Sequence, residues 1–378
     1  MQSSELTSSR LGQLGAQVPT LSRGPLLGFD LETTGLQRGS GTVPFLYGWA
    51  ILEGDWIQVE QWLLPDLGEE RPLVEAALHR LASAGLLLTY NGSGFDLPLL
   101  RVRTLMAGVA AAWPAPPHVD LLPLVRRLFR HRLDRCTLRR AEEELLGRAR
   151  HDDLPGSQAP ERYRAYLRTG DARGLAPVLR HNQEDLVSLL ALASHLGQHL
   201  EVEPQHPADW YSLGRFREAR GQLLQAGALY ERAALGAPAP LDRAAALRQA
   251  RLLRRQEEPE AAEAAWRRIW ERWADPEAAE ALCVELEHQR GDLAGALELA
   301  QQALARAPVG WDRRFAKRIW RLQARLQQRG RPPEPGLAGE PSRPWAAWLP
   351  GGVSYEAWLT LRRGRAQPAP EGELTPVR

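Results

Sequence analysis

The pattern of apolar residues changes character near residue 200, and that change constrains the fold more than any single motif. Up to about residue 120 the apolar residues come in short runs: LLGFDLE, VPFLYGWAIL, WIQVEQWLL, GLLLTY and HVDLL. Runs of this length, bounded by turn residues, are strand signals. The first three follow one another closely, and EGD reads as a hairpin turn between the second and third. The later runs alternate with helical text: EERPLVEAALHRLAS has helical spacing, and NGSGFDLPLLRVRTLMAG is a loop entering a helix. Strands paired as a meander and then alternating with helices imply a mixed sheet covered by helices, an α/β domain. From 123 to about 200 the pattern is helical, broken at RHDDLPGSQAP.

After EVEPQHPAD there are no further strand signals, and Ala, Arg, Glu and Leu dominate. Trp210, Leu213, Gly214, Ala226, Tyr230, Ala233 and Pro238 fall on the large and small positions of a tetratricopeptide-like (TPR-like) helical hairpin. The small residue of the second helix recurs at Ala262 and Ala296, after 36 and 34 residues. Trp266 and Ile269 follow the first recurrence, and Ala300, Ala303 and Pro308 the second. Small residues at these places let paired helices approach closely. About three hairpins over 207–310 reach the minimum for a stacked repeat. WDRRFAKRIWRLQARLQQRG reads as a capping helix. The expected organisation is a loose leader over 1–24, an α/β domain over 25–200 and an all-α repeat domain with its cap over 207–330. Residues 331–378 read as a Pro/Gly linker, a short aromatic segment and a disordered tail.

Composition excludes several classes. The 378 residues carry a net charge of +2, so the chain is no polycation, and its basic residues are Arg except for Lys317. Cys136 and Cys283 alone cannot build a Cys-rich zinc site and fit a reducing compartment. No stretch approaches the ~20 apolar residues of a membrane span, so a cytoplasmic location is expected and no membrane partner. No G-x-x-x-x-G-K-[ST] phosphate loop is present.

Three acidic elements carry the chemistry. In FDLETTGL, Asp30 and Glu32 close a buried strand two residues apart, which puts both on one face. In LLLTYNGSGFDLPLL, a strand ends at Tyr90, Asn91 and two glycines make a tight loop, and Asp96 opens a helix, where an Asp is most often a cap. In LRHNQEDLVSLLALASHL, His181 and Asp185 lie at i and i+4 on one helix face. Each is a weak signal alone: a bare D-x-E arises by chance, an Asp at a helix start is most often a cap, and a His–Asp pair on a helix is usually a surface pair.

Taken together, their order and spacing resemble the DEDD superfamily of 3′–5′ exonucleases, which have a ribonuclease-H-like fold. The matching motifs are Asp30 and Glu32 in FDLETTGL, Asp96 in NGSGFD and Asp185 in HNQED. More narrowly, 25–200 resembles the bacterial YprB-type exonucleases through GLQRGSGTVPFLYG, CTLRRAEEELLG, RHDDLPG and HNQEDLVSL. A TPR-like tail fits that resemblance.

The resemblance implies a metal-dependent exonuclease acting from the 3′ end of DNA or RNA. Four carboxylates in a small volume need counter-charge, and two divalent cations, Mg²⁺ or Mn²⁺, prefer such hard oxygen ligands. It implies that Asp30 bridges the ions, that Glu32 and Asp185 hold the nucleophile-side ion, and that Asp96 reaches the other. Thr33, Thr34 and Leu36 match positions that grip the terminal nucleotide, and Asn91 and Phe95 flank the second motif. The superfamily places a Tyr four residues before the last Asp or a His five before it. His181 stands four before Asp185, with Arg180 five before, so it is a His in the Tyr register that could orient or deprotonate the attacking water. Asp120 is a softer candidate for the site; Arg150, His151, Asp152 and Asp153 fit a capped turn better than a phosphate contact. Phe95, Arg101 and Arg103 are plausible strand contacts. The repeats suit a protein partner, a helicase by resemblance. Two other readings stay open: a nucleic-acid-binding scaffold that uses the nuclease fold with little or no catalysis, and a structure-specific endonuclease.

Overall fold

The computed structural model describes residues 24–35, 39–53, 56–150, 154–306 and 308–329. The leader up to residue 23, Leu36, the Gly54–Asp55 part of the EGD turn, His151, Asp152, Asp153, and the linker and tail from 330 onward lie outside the described residues.

Five strands form one sheet in the order β3-β2-β1-β4-β5: β1 (Leu26–Thr33), β2 (Pro44–Glu53), β3 (Trp56–Leu63), β4 (Leu86–Thr89) and β5 (His118–Asp120). β1 pairs antiparallel with β2, which pairs antiparallel with β3, whereas β4 is parallel to both β1 and β5. The mixed sheet expected from the meander followed by alternation is the observed one. β1 is central, which explains its continuous apolar text.

Among the described residues six helices flank the sheet: α1 (Glu70–Ser83), α2 (Asp96–Met106), α3 (Leu121–Phe129), α4 (Leu138–Leu145), α5 (Ala159–Thr169) and α6 (Ala176–Glu201). Alternate residues of β1 serve opposite sides. Leu27, Phe29 and Leu31 pack with Tyr47, Trp49 and the α1 residues Val74, Ala77 and Leu78. Leu26 joins Leu86, Leu88 and the α3 and α6 residues Val125, Leu186 and Leu189 on the other side. A smaller cluster of Phe45, Leu64, Tyr163 and Val178 seats α5. Helix α3 starts at Leu121 rather than at 123, because the Asp120 carboxylate accepts the Leu122 N–H at 3.1 Å and caps it there.

The chain divides into two compact units after Gln256. The first therefore also contains α7 (Pro207–Glu218), α8 (Leu223–Gly236) and α9 (Leu241–Arg255). Leu213, Phe216 and Leu229 of this text belong to the same apolar cluster as Leu86, Leu88 and Leu196. Asp209 of α7 also pairs with Arg132 at 3.3 Å. The α7–α8 contact is close: a Cβ on Gly214 would stand 2.7 Å from the Tyr230 ring.

The second unit is all helical among the described residues: α10 (Pro259–Trp273), α11 (Pro276–His288), α12 (Leu293–Arg306) and α13 (Asp312–Arg329). Ala262, Ala279, Ala296 and Ala300 are buried, and Trp266, Ile269, Phe315 and Ile319 fill the space around such small residues. Glu287, fully shielded, accepts from Arg318 and Arg321 and faces Arg325 at 3.6 Å. No described helix is long and apolar enough to cross a membrane.

Candidate active site

The acids meet where the parallel strands end. Asp30 and Glu32 lie on the face of β1 turned to α6. Gly28, on the same face, would bring a Cβ within 3.2 Å of the Ala50 Cβ and 3.8 Å of the Leu186 carbonyl oxygen, so α6 crosses β1 at close range. Asp30 is opposite Gly48 in the β1–β2 register. The space over Gly48 is taken by Asn182 of α6, which is fully buried. Its Nδ2 donates to Asp30 Oδ2 at 2.8 Å, and its Oδ1 accepts from Gln61 Nε2 at 2.9 Å. Gln61 also donates to the Leu179 carbonyl at 2.7 Å, which fixes the direction of the whole chain of bonds.

Asp96 reaches the same place from α2. The β1–β4 ladder runs only as far as Gly28 opposite Leu88, so β1 outruns its parallel neighbour. Asp96 Oδ1 accepts the Leu31 N–H beyond that point, at 3.2 Å. The loop before it is held by Asp120, whose carboxylate accepts from the Asn91 N–H at 2.8 Å and the Ser93 N–H at 3.1 Å. Asp120 is thus committed to three backbone N–H groups, and its work is to shape the loop that delivers Asp96.

Asp185 and His181 come from α6. His181 Nε2 is 3.8 Å from Asp185 Oδ2 and 3.9 Å from Glu32 Oε1. Arg150 closes the far side. Its Nε and Nη2 form a two-pronged pair with Glu142 of α4 at 2.7 and 2.6 Å, both side chains being buried. The same Nη2 donates to Asp185 Oδ1, and Nη1 donates to His181 Nδ1 at 3.3 Å.

This clustering is costly in charge. Burial, then the charges of Asp185, Asp96 and Glu32, hold the Asp30 carboxyl well above the usual carboxylate range, against the pull of the Asn182 bond. Asp96 is pushed up to about 7, first by burial and further by Asp120 and Asp185, although backbone N–H groups oppose the rise. Burial raises Asp185 too, and Arg150 and His181 offset part of it. Burial works against the Arg150 charge, but Glu142 and Asp185 more than hold it in place. The single Arg150 guanidinium is shared between Glu142 and Asp185. An all-oxygen donor set such as Asp30, Glu32, Asp96 and Asp185 suits a hard divalent cation. Among the described residues no group of three acid, His or Cys side chains stands close enough to grip a metal ion as the side chains lie.

The remaining candidates are placed as follows. Thr33 Oγ1 donates to the Gly35 carbonyl, and Thr34 Oγ1 accepts the Val43 N–H at 2.9 Å, so both shape the turn after β1. Asn91 is exposed and left-handed (φ 67°), while Phe95 is partly buried at the start of α2. Arg103 is not a free cation for a strand: it is paired with Glu70 and donates to the Ser40 carbonyl at 2.7 Å. Arg101 stacks over Trp113 at 4.8 Å. Asn182, Gln61, Gly48 and Glu142 escaped the sequence reading. For Asn182 a signal existed: it stands three residues before Asp185, on the same helical face.

Residues 27–197 match the RNase_H_2 family of the RNase_H superfamily. The chain is also 33% identical over 287 residues to a Bacillus subtilis (strain 168) protein described as "Uncharacterized protein YprB", covering 74% of this chain and 69% of that one.

Proposed function

Because this chain belongs to the ribonuclease H superfamily, whose nucleases hydrolyse nucleic acids and generally use divalent metal ions, we propose that it is a 3′–5′ exonuclease of the DEDD type. The observation that carries this reading is the convergence of Asp30, Glu32, Asp96 and Asp185 from β1, α2 and α6 on one place, where burial raises Asp30, Asp96 and Asp185 alike. Asp30, Glu32, Asp96 and Asp185 would hold two Mg²⁺ or Mn²⁺ ions. Bound there, such ions supply the charge that steadies an in-line phosphoryl displacement and makes water acidic enough to attack.

The protein's own residues do the rest. Asn182 occupies Asp30 Oδ2, the Leu31 N–H occupies Asp96 Oδ1, and Arg150 occupies Asp185 Oδ1. These bonds aim the three carboxylates at one place. His181 Nε2 lies 3.9 Å from Glu32 Oε1 and 3.8 Å from Asp185 Oδ2, beside the proposed metal ligands. Thr33, Thr34, Leu36, Asn91 and Phe95 are the proposed contacts to the terminal nucleotide, and the helices from α7 onward the proposed docking surface for a protein partner, a helicase being the natural class. Burial of Ala226, Ala262 and Ala296 supports the TPR-like reading of those helices. The pairing of Arg318, Arg321 and Arg325 with Glu287 supports a capping role for α13 over a nucleic-acid contact.

The test is a cleavage assay with Mg²⁺ or Mn²⁺ on oligonucleotides labelled at one end or the other. Stepwise loss from the 3′ end, abolished by chelator and by Asp30→Asn, is the expected result. Equal degradation by wild type and Asp30→Asn would end the assignment. A second reading, binding without cleavage, is favoured by the Arg150–Asp185 contact, which engages one oxygen of a proposed metal ligand. Tight oligonucleotide binding with no metal-dependent product would select it.

A further inference from the structure

Within the first unit, α7 packs on α3. Leu128, Phe129 and Phe216 share one apolar cluster, and the His131 and Tyr211 rings meet nearly edge to face with centroids 5.5 Å apart. The exposed seam of this contact is basic. Arg126 and Arg127 stand in the last turn of α3, Arg130 and His131 directly follow it, and Arg215 stands in the last turn of α7; all are exposed. The groups act on one another. Partial burial, then the Arg130 and Arg215 charges, hold the His131 imidazole below its ordinary range. After burial, Arg127 and Arg217 work against the charge of Arg220, whose guanidinium lies 4.1 Å over the Phe216 ring.

Elsewhere on this surface arginines are matched: Arg71 with Glu75, Arg173 with Asp171, Arg267 with Glu263 and Arg314 with Glu280. Among the described residues Arg126, Arg127, Arg130 and Arg215 form no ion pair with a carboxylate. The helix dipoles explain only part of this. A helix C-terminus is worth about half a negative charge, and three arginines crowd the end of α3 alone. In a chain whose net charge is +2, the excess is local.

We infer that this seam is a second nucleic-acid contact, where Arg126, Arg127, Arg130 and Arg215 hold the phosphate backbone of the substrate a few nucleotides from the end being cut. Its place along the substrate rests on the proposed nuclease function. Arginine suits the task, because its planar fork of N–H groups takes phosphate oxygens in pairs. Position favours a strand over an acidic protein. α3 begins beside Asp120, whose carboxylate holds the Asn91 and Ser93 N–H groups of the loop that delivers Asp96. The Arg126 charge bears on Tyr90, the residue before Asn91, whose hydroxyl donates to the Cys136 carbonyl at 2.8 Å. From Asp120 to Arg130 a helix rises about 15 Å, some four base steps of ~3.4 Å each.

The experiment is fluorescence anisotropy of a labelled single-stranded oligonucleotide of about 20 nucleotides with the full-length protein, in chelator, over a salt series. Each single-strand phosphate contact carries a slope of about 0.7 in log K against log salt. Arg126→Gln/Arg127→Gln/Arg130→Gln/Arg215→Gln should therefore flatten that slope by about 2–3 and weaken binding about tenfold or more at low salt. Arg71→Gln/Arg173→Gln/Arg267→Gln/Arg314→Gln removes the same charge from paired arginines and should change neither. Should the first variant fail to fold by circular dichroism, Arg127→Gln/Arg215→Gln, one from each helix, should give about half the slope change. An unchanged slope in the folded seam variant, or equal losses in seam and control variants, would overturn the proposal. Capture of a labelled poly-glutamate peptide by the same four arginines, with oligonucleotide binding untouched by their loss, would also overturn it and give the seam to an acidic protein. The readout needs no cleavage. Seam-dependent binding with no metal-dependent product ends the nuclease reading and leaves the contact standing, whereas a cleaving enzyme whose seam variant binds normally ends this inference alone.

Discussion

Asn182 stands where the side chain of residue 48 would be: a Cβ on Gly48 would lie 2.3 Å from Asn182 Oδ1. The amide cannot retreat, because it is fully buried and bonded to both Asp30 and Gln61. Gly48→Ala should therefore destabilise the first unit by about 1–3 kcal/mol, the usual cost of overpacking. It should also lower cleavage by more than tenfold, since Asp30 loses its aim. Gly39→Ala, where a Cβ would meet nothing within 4 Å, is the control and should change neither. Urea unfolding and the end-labelled assay check both arms.

Divalent cations should stabilise the fold as well as activate it. With Asp30 and Asp96 both forced above the ordinary carboxylate range, a bound cation relieves a strain present in its absence. Mn²⁺ or Mg²⁺ at ~100 times its dissociation constant adds about 2.7 kcal/mol, a rise of roughly 5–10 °C in the midpoint for a domain of this size. Chelator should reverse the rise, and Asp30→Asn/Asp96→Asn should show none. A thermal melt with and without metal decides.

Acid should loosen the protein through His199. Burial first, then the neighbouring His195 and Arg132 charges, pull this imidazole down to about 4. Between about 6.5, the ordinary value, and 4 the unfolded chain binds a proton that the folded one refuses. His199 therefore contributes its full stabilisation above about 6.5 and loses it as pH falls to 4, by at most about 3 kcal/mol. Denaturation midpoints at pH 7.5 and pH 5 should converge in His199→Leu and stay apart in the wild type.

The place to cut the chain is after Gln256, not before Pro207. A fragment ending at Gln256 keeps Leu213, Phe216 and Leu229 in the core they share with β4 and α6. It should fold and retain cleavage. A fragment ending at residue 206 exposes that cluster and should be insoluble or strongly destabilised. Circular dichroism and activity of the two fragments distinguish these outcomes.

The strands were legible because a central strand needs unbroken apolar text and turns need Gly, Asp and Asn. The helical half was legible from the period of its small residues. The acids stood out as candidates because Asp30 and Glu32 have no apolar reason to end a buried strand together, and Asp96 and Asp185 follow in order. Asn182 and Glu142 were hidden for a different reason. A buried polar side chain is explained only by its partner, and Asp30 is 152 residues from Asn182. Nothing local marks Glu142 within RRAEEEL as the one glutamate of its helix that turns inward to Arg150. Asp120 was ambiguous because a cap and a ligand use the same residue type, and only its three N–H partners decide between them.

The apolar cluster that runs from Leu26 to Leu229 sets an order of events on the ribosome. At about 5–20 residues per second, roughly 10–40 s separate the synthesis of Asp30 from that of Leu229. Through that interval the nascent chain carries its first two acids but not the layer that holds α6 above them. A chain interrupted before Leu229 lacks part of the apolar cluster that seats α6, and with it support for the helix that carries Asp185.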